Sequence, residues 1–100
     1  MPDSDITLDA TVQVTKNQVS SDLAGESIIL SLQTAQYYGL GKVGARIWEL
    51  VQQPIRVLEV RDIILDEYDV EPERCKADLI ALLDRLAAEG LIEVRAPNAT

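Results

Sequence analysis

Residues 18–51, QVSSDLAGESIILSLQTAQYYGLGKVGARIWELV, decide the fold, because period-two alternation of apolar and polar residues gives way there to helical spacing. A strand sends successive side chains to opposite faces, whereas a helix returns to one face every three to four residues. Val19, Ser21 and Leu23 fall on one face of a first strand, Ser20 and Asp22 fall on the other, and Ala24-Gly25 marks a turn. In the next strand the alternation predicts Ile28, Leu30 and Leu32 facing the core, with Ser27, Ile29, Ser31 and Gln33 outside. A short third strand in AQYYGL (35–40) points Tyr38 and Leu40 inward and places Tyr37 on the same outer face as Ile29. The result is an antiparallel meander with one edge strand open.

Helical segments follow. Gly41 serves as an N-cap, and Val43, Ile47, Trp48, Leu50 and Val51 then have the spacing of a buried helix that Pro54 ends. A second helix spans about Val57 to Tyr68, packing through Val60, Ile63, Ile64 and Tyr68. The third has Pro72 in its first turn, Glu73 where negative charge suits a helix N-terminus, and Gly90 where the chain leaves it, although Glu71 is a poor cap. TVQVT (11–15) alternates enough for a short added strand, and LIEVR (91–95) lies back against the fold. The chain thus reads as one α+β domain, a three-stranded antiparallel sheet followed by three helices. Residues 1–17 form a flexible lead-in with a possible short strand, 18–95 the domain, and 96–100 a tail.

Composition excludes several classes. At 100 residues, 47% of them apolar, the chain supports one core and buries about 65% of the surface its unfolded form exposes. Its longest apolar run falls far short of the ~20 residues of a membrane span. MPDSDITLDA is acidic where a signal peptide carries positive charge. The single cysteine, Cys75, forms no internal disulfide and fits a reducing compartment, so the expected location is the cytoplasm. A net charge of −8 opposes a phosphate backbone, and the third helix offers three basic against four acidic residues from Glu73 to Glu89. That weighs against the main rival reading, a winged-helix nucleic-acid-binding or regulatory protein, which shares this order of elements.

Catalytic constellations are nearly absent. There is no histidine, which removes the commonest general base and the commonest metal ligand. Cys75 has no base beside it and sits among apolar residues at helical spacing, as a small packing residue does. The glycines of GLGKVG do not follow phosphate-loop spacing. The expectation is no enzyme, no metal and no cofactor.

Two features remain. Over residues 59–73, Glu59, Asp62, Asp66, Glu67, Asp69, Glu71 and Glu73 face only Arg61; the run reads as a solvated surface or as a docking surface for a basic partner. In the third helix Cys75, Leu79, Leu82, Leu83 and Leu86 cluster, and Ile80 and Ala87 widen the apolar arc to about 160°, beyond the ~100° of a single packed face. The helix is either wedged between two core layers or has an open flank, whose rim is then Arg74, Asp78 and Arg85 with Cys75 and Leu82 beside them.

These residues together resemble a known family. The SSDL-G-E turn, the YYGL strand ending, the G-x-x-I-W-x-L helix (Gly44, Ile47, Trp48, Leu50) and the passage from EYDV to Asp78 and Leu83 are similar to the PqqD-like proteins, in particular the small stand-alone members of lasso-peptide biosynthesis. The resemblance covers about residues 18–94. It implies a winged-helix-like RiPP recognition element, which binds the leader segment of a ribosomally made precursor peptide. The leader adds a strand beside the third strand of the sheet, in a groove walled by the third helix. Carried over by position, the edge is Ala35, Gln36, Tyr37, Tyr38 and Gly39, and the wall is Arg74, Cys75, Asp78, Leu79 and Leu82, with Arg85 on the rim. The implied partners are the leader peptide, a leader-cleaving cysteine protease and an ATP-dependent macrolactam synthetase, with neither nucleic acid nor membrane.

Overall fold

The computed structural model describes residues 6–96 apart from Ala24, and of Leu23 the backbone only. The expectations that fall on residues 1–5, on the Leu23 side chain, on Ala24 and on 97–100 lie outside the described residues. The elements run β1 (Thr11–Val14), β2 (Gln18–Leu23), β3 (Glu26–Ser31), β4 (Tyr37–Leu40), α1 (Lys42–Leu50), β5 (Ile55–Arg56), α2 (Val57–Glu67), α3 (Pro72–Ala88) and β6 (Ile92–Arg95). They form two antiparallel sheets, β2-β3-β4 and β5-β1-β6. The meander and the three helices stand as the sequence implied, and the second sheet is the addition.

That second sheet changes the standing of the lead-in. Backbone pairing of β1 with β6 (Val12 opposite Val94) and with β5 (Val12 opposite Ile55) ties the two ends of the chain together. Ile6, Ala10 and Val12 are buried in the core. The carbonyls of Ala10 and Leu8 accept the N–H groups of Val57 and Leu58 at 2.9 and 3.0 Å. Those are the first donors of α2, which no preceding helical turn satisfies. Arg56 offers no side-chain cap hydrogen bond, so the segment expected to be mobile does the capping, and it is an integral part of the fold from Ile6 onward.

The larger correction concerns β3. Ser27, Ile29 and Ser31 are 1%, 0% and 1% exposed, whereas Ile28 and Leu32 are 40% and 58% exposed. The face expected to point inward points outward. Ile29 pairs with Tyr38 and Ser20, so the inner face of the sheet carries Ser20, Asp22, Ser27, Ile29, Ser31, Tyr38 and Leu40. Tyr38 and Leu40 point inward as the alternation implied, and Tyr37 points outward, but with Leu30 rather than Ile29. The cause is α1, whose Trp48 lies on this face and donates its indole N–H to Ser20 Oγ at 3.1 Å. A bulky indole against a sheet leaves room for small residues beside it, and close-packed interiors favour that alternation of large and small. The serines are satisfied locally: Ser27 donates to Asp22 Oδ1 at 2.8 Å, and Ser31 Oγ accepts Thr34 N–H at 3.3 Å.

The remaining core is assembled from Val51, Val57, Val60, Leu79, Leu83 and Leu91, all fully buried. α3 ends where Gly90 takes φ +75° and the N–H of Leu91 bonds back to Leu86 O at 2.9 Å, the return typical of a left-handed helix cap. The positive φ favours glycine there, whereas the nearest atom to a Cβ at Gly90, Gln33 Oε1, ends an exposed flexible side chain that can move aside.

Thermal or urea denaturation tests the inverted face. Ile29→Ala should cost about 2–5 kcal/mol, and Ile28→Ala, on the neighbouring residue, under about 1 kcal/mol. Trp48→Ala should cost about 3–5 kcal/mol.

Candidate functional site, an open sheet edge facing a helix

Among the described residues, β4 has β3 on one side and no strand on the other. The direction of its main-chain groups follows from the ladder. Ser31 N–H bonds Gln36 O at 2.9 Å, so with Leu30 opposite Tyr37 and Ile29 opposite Tyr38, it is Gln36, Tyr38 and Leu40 that exchange hydrogen bonds with β3. The N–H and C=O groups of Tyr37 and Gly39 therefore point away from β3, into the open edge.

That edge looks across a groove at α3. Tyr37, Tyr38, Gly39 and Leu40 line one side of a hollow of about 140 Å³, and Leu82, Arg85, Leu86 and Glu89 line the other. A deeper hollow of about 530 Å³ opens towards the start of α3, with Val43, Gly44 and Ile47 of α1, Ile64 of α2 and Val70 among its walls. Leu82 lines both hollows, so they adjoin along the groove side of the helix. α3 therefore serves two sides. Cys75, Leu79, Leu83 and Leu86 are buried in the core, while Leu82 is half-buried at the groove.

The narrow end is closed by a polar contact. The Tyr38 hydroxyl donates to Glu89 Oε1, and its oxygen lies 3.2 Å from the Gln36 amide oxygen. The Glu89 carboxylate, and then loss of solvation, hold the phenol above its ordinary pKa, so it stays protonated. Burial likewise pushes the Cys75 thiol up, away from the thiolate that a nucleophile or metal ligand requires. Among the described residues no group of three or more His, Cys, Asp or Glu is placed to hold a metal ion, and no helix is long and apolar enough to cross a membrane.

The residues singled out from the sequence fall as follows. Tyr37, Tyr38 and Gly39 are in β4, while Ala35 and Gln36 belong to the turn before it, Ala35 at φ +59°. Arg74, Cys75, Asp78, Leu79 and Leu82 line the deeper hollow, and Arg85 lines the narrow one. Cys75 and Leu79 form its floor. Val43, Ile47, Ile64, Val70 and Glu89 were not anticipated as site residues. The i, i+4 spacing of Val43 and Ile47 gave a signal for burial but none for a groove, and Glu89 gave none at all.

On the other side of the same sheet lies an apolar surface. Val19 and Tyr37 are 52% and 71% exposed, and with Ile28 and Leu30 they line a shallow outward-facing hollow. A Cβ at Gly39 beside them would meet nothing within 4 Å.

A free sheet edge facing an apolar helix is the architecture of a domain that recognises an extended chain by adding it as a strand. The chain belongs to the PqqD family, described as coenzyme PQQ synthesis protein D, whose pattern matches residues 26–92. Among solved structures it is similar to TbiB1 in complex with the TbiA(beta) leader peptide, with 37% identity over 81% of this chain and 94% of that one and a TM-score of 0.75. It also shares its fold with lasso peptide synthetase B1 complexed with the leader peptide, at 18% identity, 82% and 96% coverage and a TM-score of 0.72. No curated protein matches the chain.

Proline scanning with thermal denaturation tests the edge. Tyr38→Pro deletes a ladder hydrogen bond and should destabilise by about 3 kcal/mol, whereas Tyr37→Pro, whose N–H faces outward, should cost about 1 kcal/mol or less.

Proposed function

We propose that this protein is a non-catalytic recognition element that binds the leader segment of a ribosomally synthesised precursor peptide by strand addition. In this reading it presents the leader, in the cytoplasm, to the leader-cleaving cysteine protease and the ATP-dependent macrolactam synthetase of a lasso-peptide pathway. The observation that carries the proposal is the outward N–H and C=O of Tyr37 and Gly39 opposite the apolar flank of α3. Its closest support outside the chain is the 37% identity to TbiB1, which was solved with a leader peptide.

Strand addition divides the work. Hydrogen bonds to Tyr37 and Gly39 are the same for any sequence, so they hold the peptide without reading it. Reading falls to side chains, because alternate residues of an added strand point towards α3 and towards the outer face. Those pointing inward meet Leu82, Leu86 and the deeper hollow. Those pointing outward extend the apolar surface of Val19, Ile28, Leu30 and Tyr37. The leader thus contacts the domain on both sides of the sheet edge.

Calorimetric titration with the TbiA(beta) leader peptide, and with leaders of precursors encoded beside this chain, should give binding with no change in peptide mass. Leu82→Asp places an unpaired charge against the apolar strand and should weaken binding at least about tenfold, as should Tyr37→Pro. Absence of binding with every leader, or a changed peptide mass with this protein alone, would refute the assignment.

A further inference from the structure

The acidic run is only partly used by the fold. Arg46 donates to both carboxylate oxygens of Glu67 at 2.9 and 2.8 Å, which holds that carboxyl below its ordinary range. Glu59 accepts the Arg56 N–H at 3.2 Å, and Asp62 pairs with Arg61 at 2.9 Å. Asp69 and Glu71 have another position: both are exposed on the lip of the deeper hollow, which Asp78 also lines. Arg74 is the cation among the lining residues, and it stands 3.6 Å from Asp78 with both side chains largely in solvent.

Three carboxylates and one guanidinium therefore ring a hollow with Cys75 and Leu79 at its floor and Val43, Ile47, Ile64 and Leu82 in its walls. The N-terminus of α3 contributes roughly half a positive charge beside Glu71, which leaves the lip net negative. At the narrow end Arg85 and Glu89 balance. The groove is thus polarised in charge as well as in width.

We propose that the wide end of the groove selects a peptide whose apolar anchor is flanked by lysine or arginine. The anchor enters the hollow and the cation stands over Asp69 and Glu71. The proposal rests on the leader-binding reading and adds to it the chemical class of leader. The apolar floor rejects a charge, but the methylene stem of a lysine or arginine lies well along Val70 while its head stays in water at the lip. Each exposed ion pair is weak and screened by salt. Selection therefore needs a pair of cations rather than one, and the net charge of −8 favours approach of a cationic peptide.

The test is fluorescence anisotropy with the TbiA(beta) leader peptide and copies in which successive residue pairs are replaced by Lys-Lys or by Glu-Glu. One window should bind about tenfold more tightly as Lys-Lys than as Glu-Glu, and this ratio should fall below about threefold in Asp69→Asn/Glu71→Gln. Glu26→Gln/Glu93→Gln removes the same net charge outside both hollows and should leave the ratio unchanged. A ratio near one in every window, a ratio that survives Asp69→Asn/Glu71→Gln, or one that falls equally in the distant variant overturns the proposal and leaves leader binding standing. Failure of every peptide to bind, the parent included, overturns the leader-binding reading and this proposal with it.

Discussion

The packing of Trp48 on the inner face of the β2-β3-β4 sheet is the contact on which the rest of the structure depends. The indole N–H reaches Ser20, and the serines buried on the same face, 27 and 31, have their hydroxyls satisfied by Asp22 and by the Thr34 N–H. Committing that face to α1 leaves the apolar residues of the same strands outside. It also sets the orientation of β4, because its side chains share the faces of β3. Which main-chain groups point into the groove, and which side chains form the outer surface, both follow from it.

α3 does two jobs, and its wide apolar arc is the cost. One part of the arc, Cys75, Leu79, Leu83 and Leu86, closes the core; Leu82 on the flank faces the groove. A helix with an uncovered apolar flank beside a free strand edge risks aggregation, since any exposed strand could pair there. The geometry limits the hazard. The edge is four residues long, and α3 stands opposite it, so the groove suits a single extended chain.

Strand addition suits a protein that must hold a segment without altering it. The affinity comes from main-chain groups and apolar contact, neither of which needs an ionisable catalyst. In the groove, burial pushes the Cys75 thiol up, and the Glu89 carboxylate and then loss of solvation hold the Tyr38 phenol above its ordinary pKa. The family membership, the fold and the polarity of the groove all suit recognition of an extended chain.

Much of this is written in the chain itself. Helix positions are legible because Pro54, Pro72 and Gly90 impose backbone limits that no packing can override, and the absence of histidine and the charge of −8 restrict chemistry and partners whatever the fold. Tyr38 and Leu40 point inward as their alternation states. The face of β3 is different. Ile28, Ile29 and Leu30 place apolar residues on both faces, so counting favours the side with more of them, whereas the volume of Trp48, 20 residues away in another element, decides for the side with fewer. The lead-in was equally silent, because its backbone carbonyls cap α2 and pair with β6, and main-chain hydrogen bonds leave little trace in side-chain type. The groove belongs to the tertiary structure alone, since β4 and the end of α3 are 51 residues apart where Tyr38 meets Glu89. Sequence fixes what each segment prefers, but a surface shared by two segments exists only once packing has chosen which face each of them gives up.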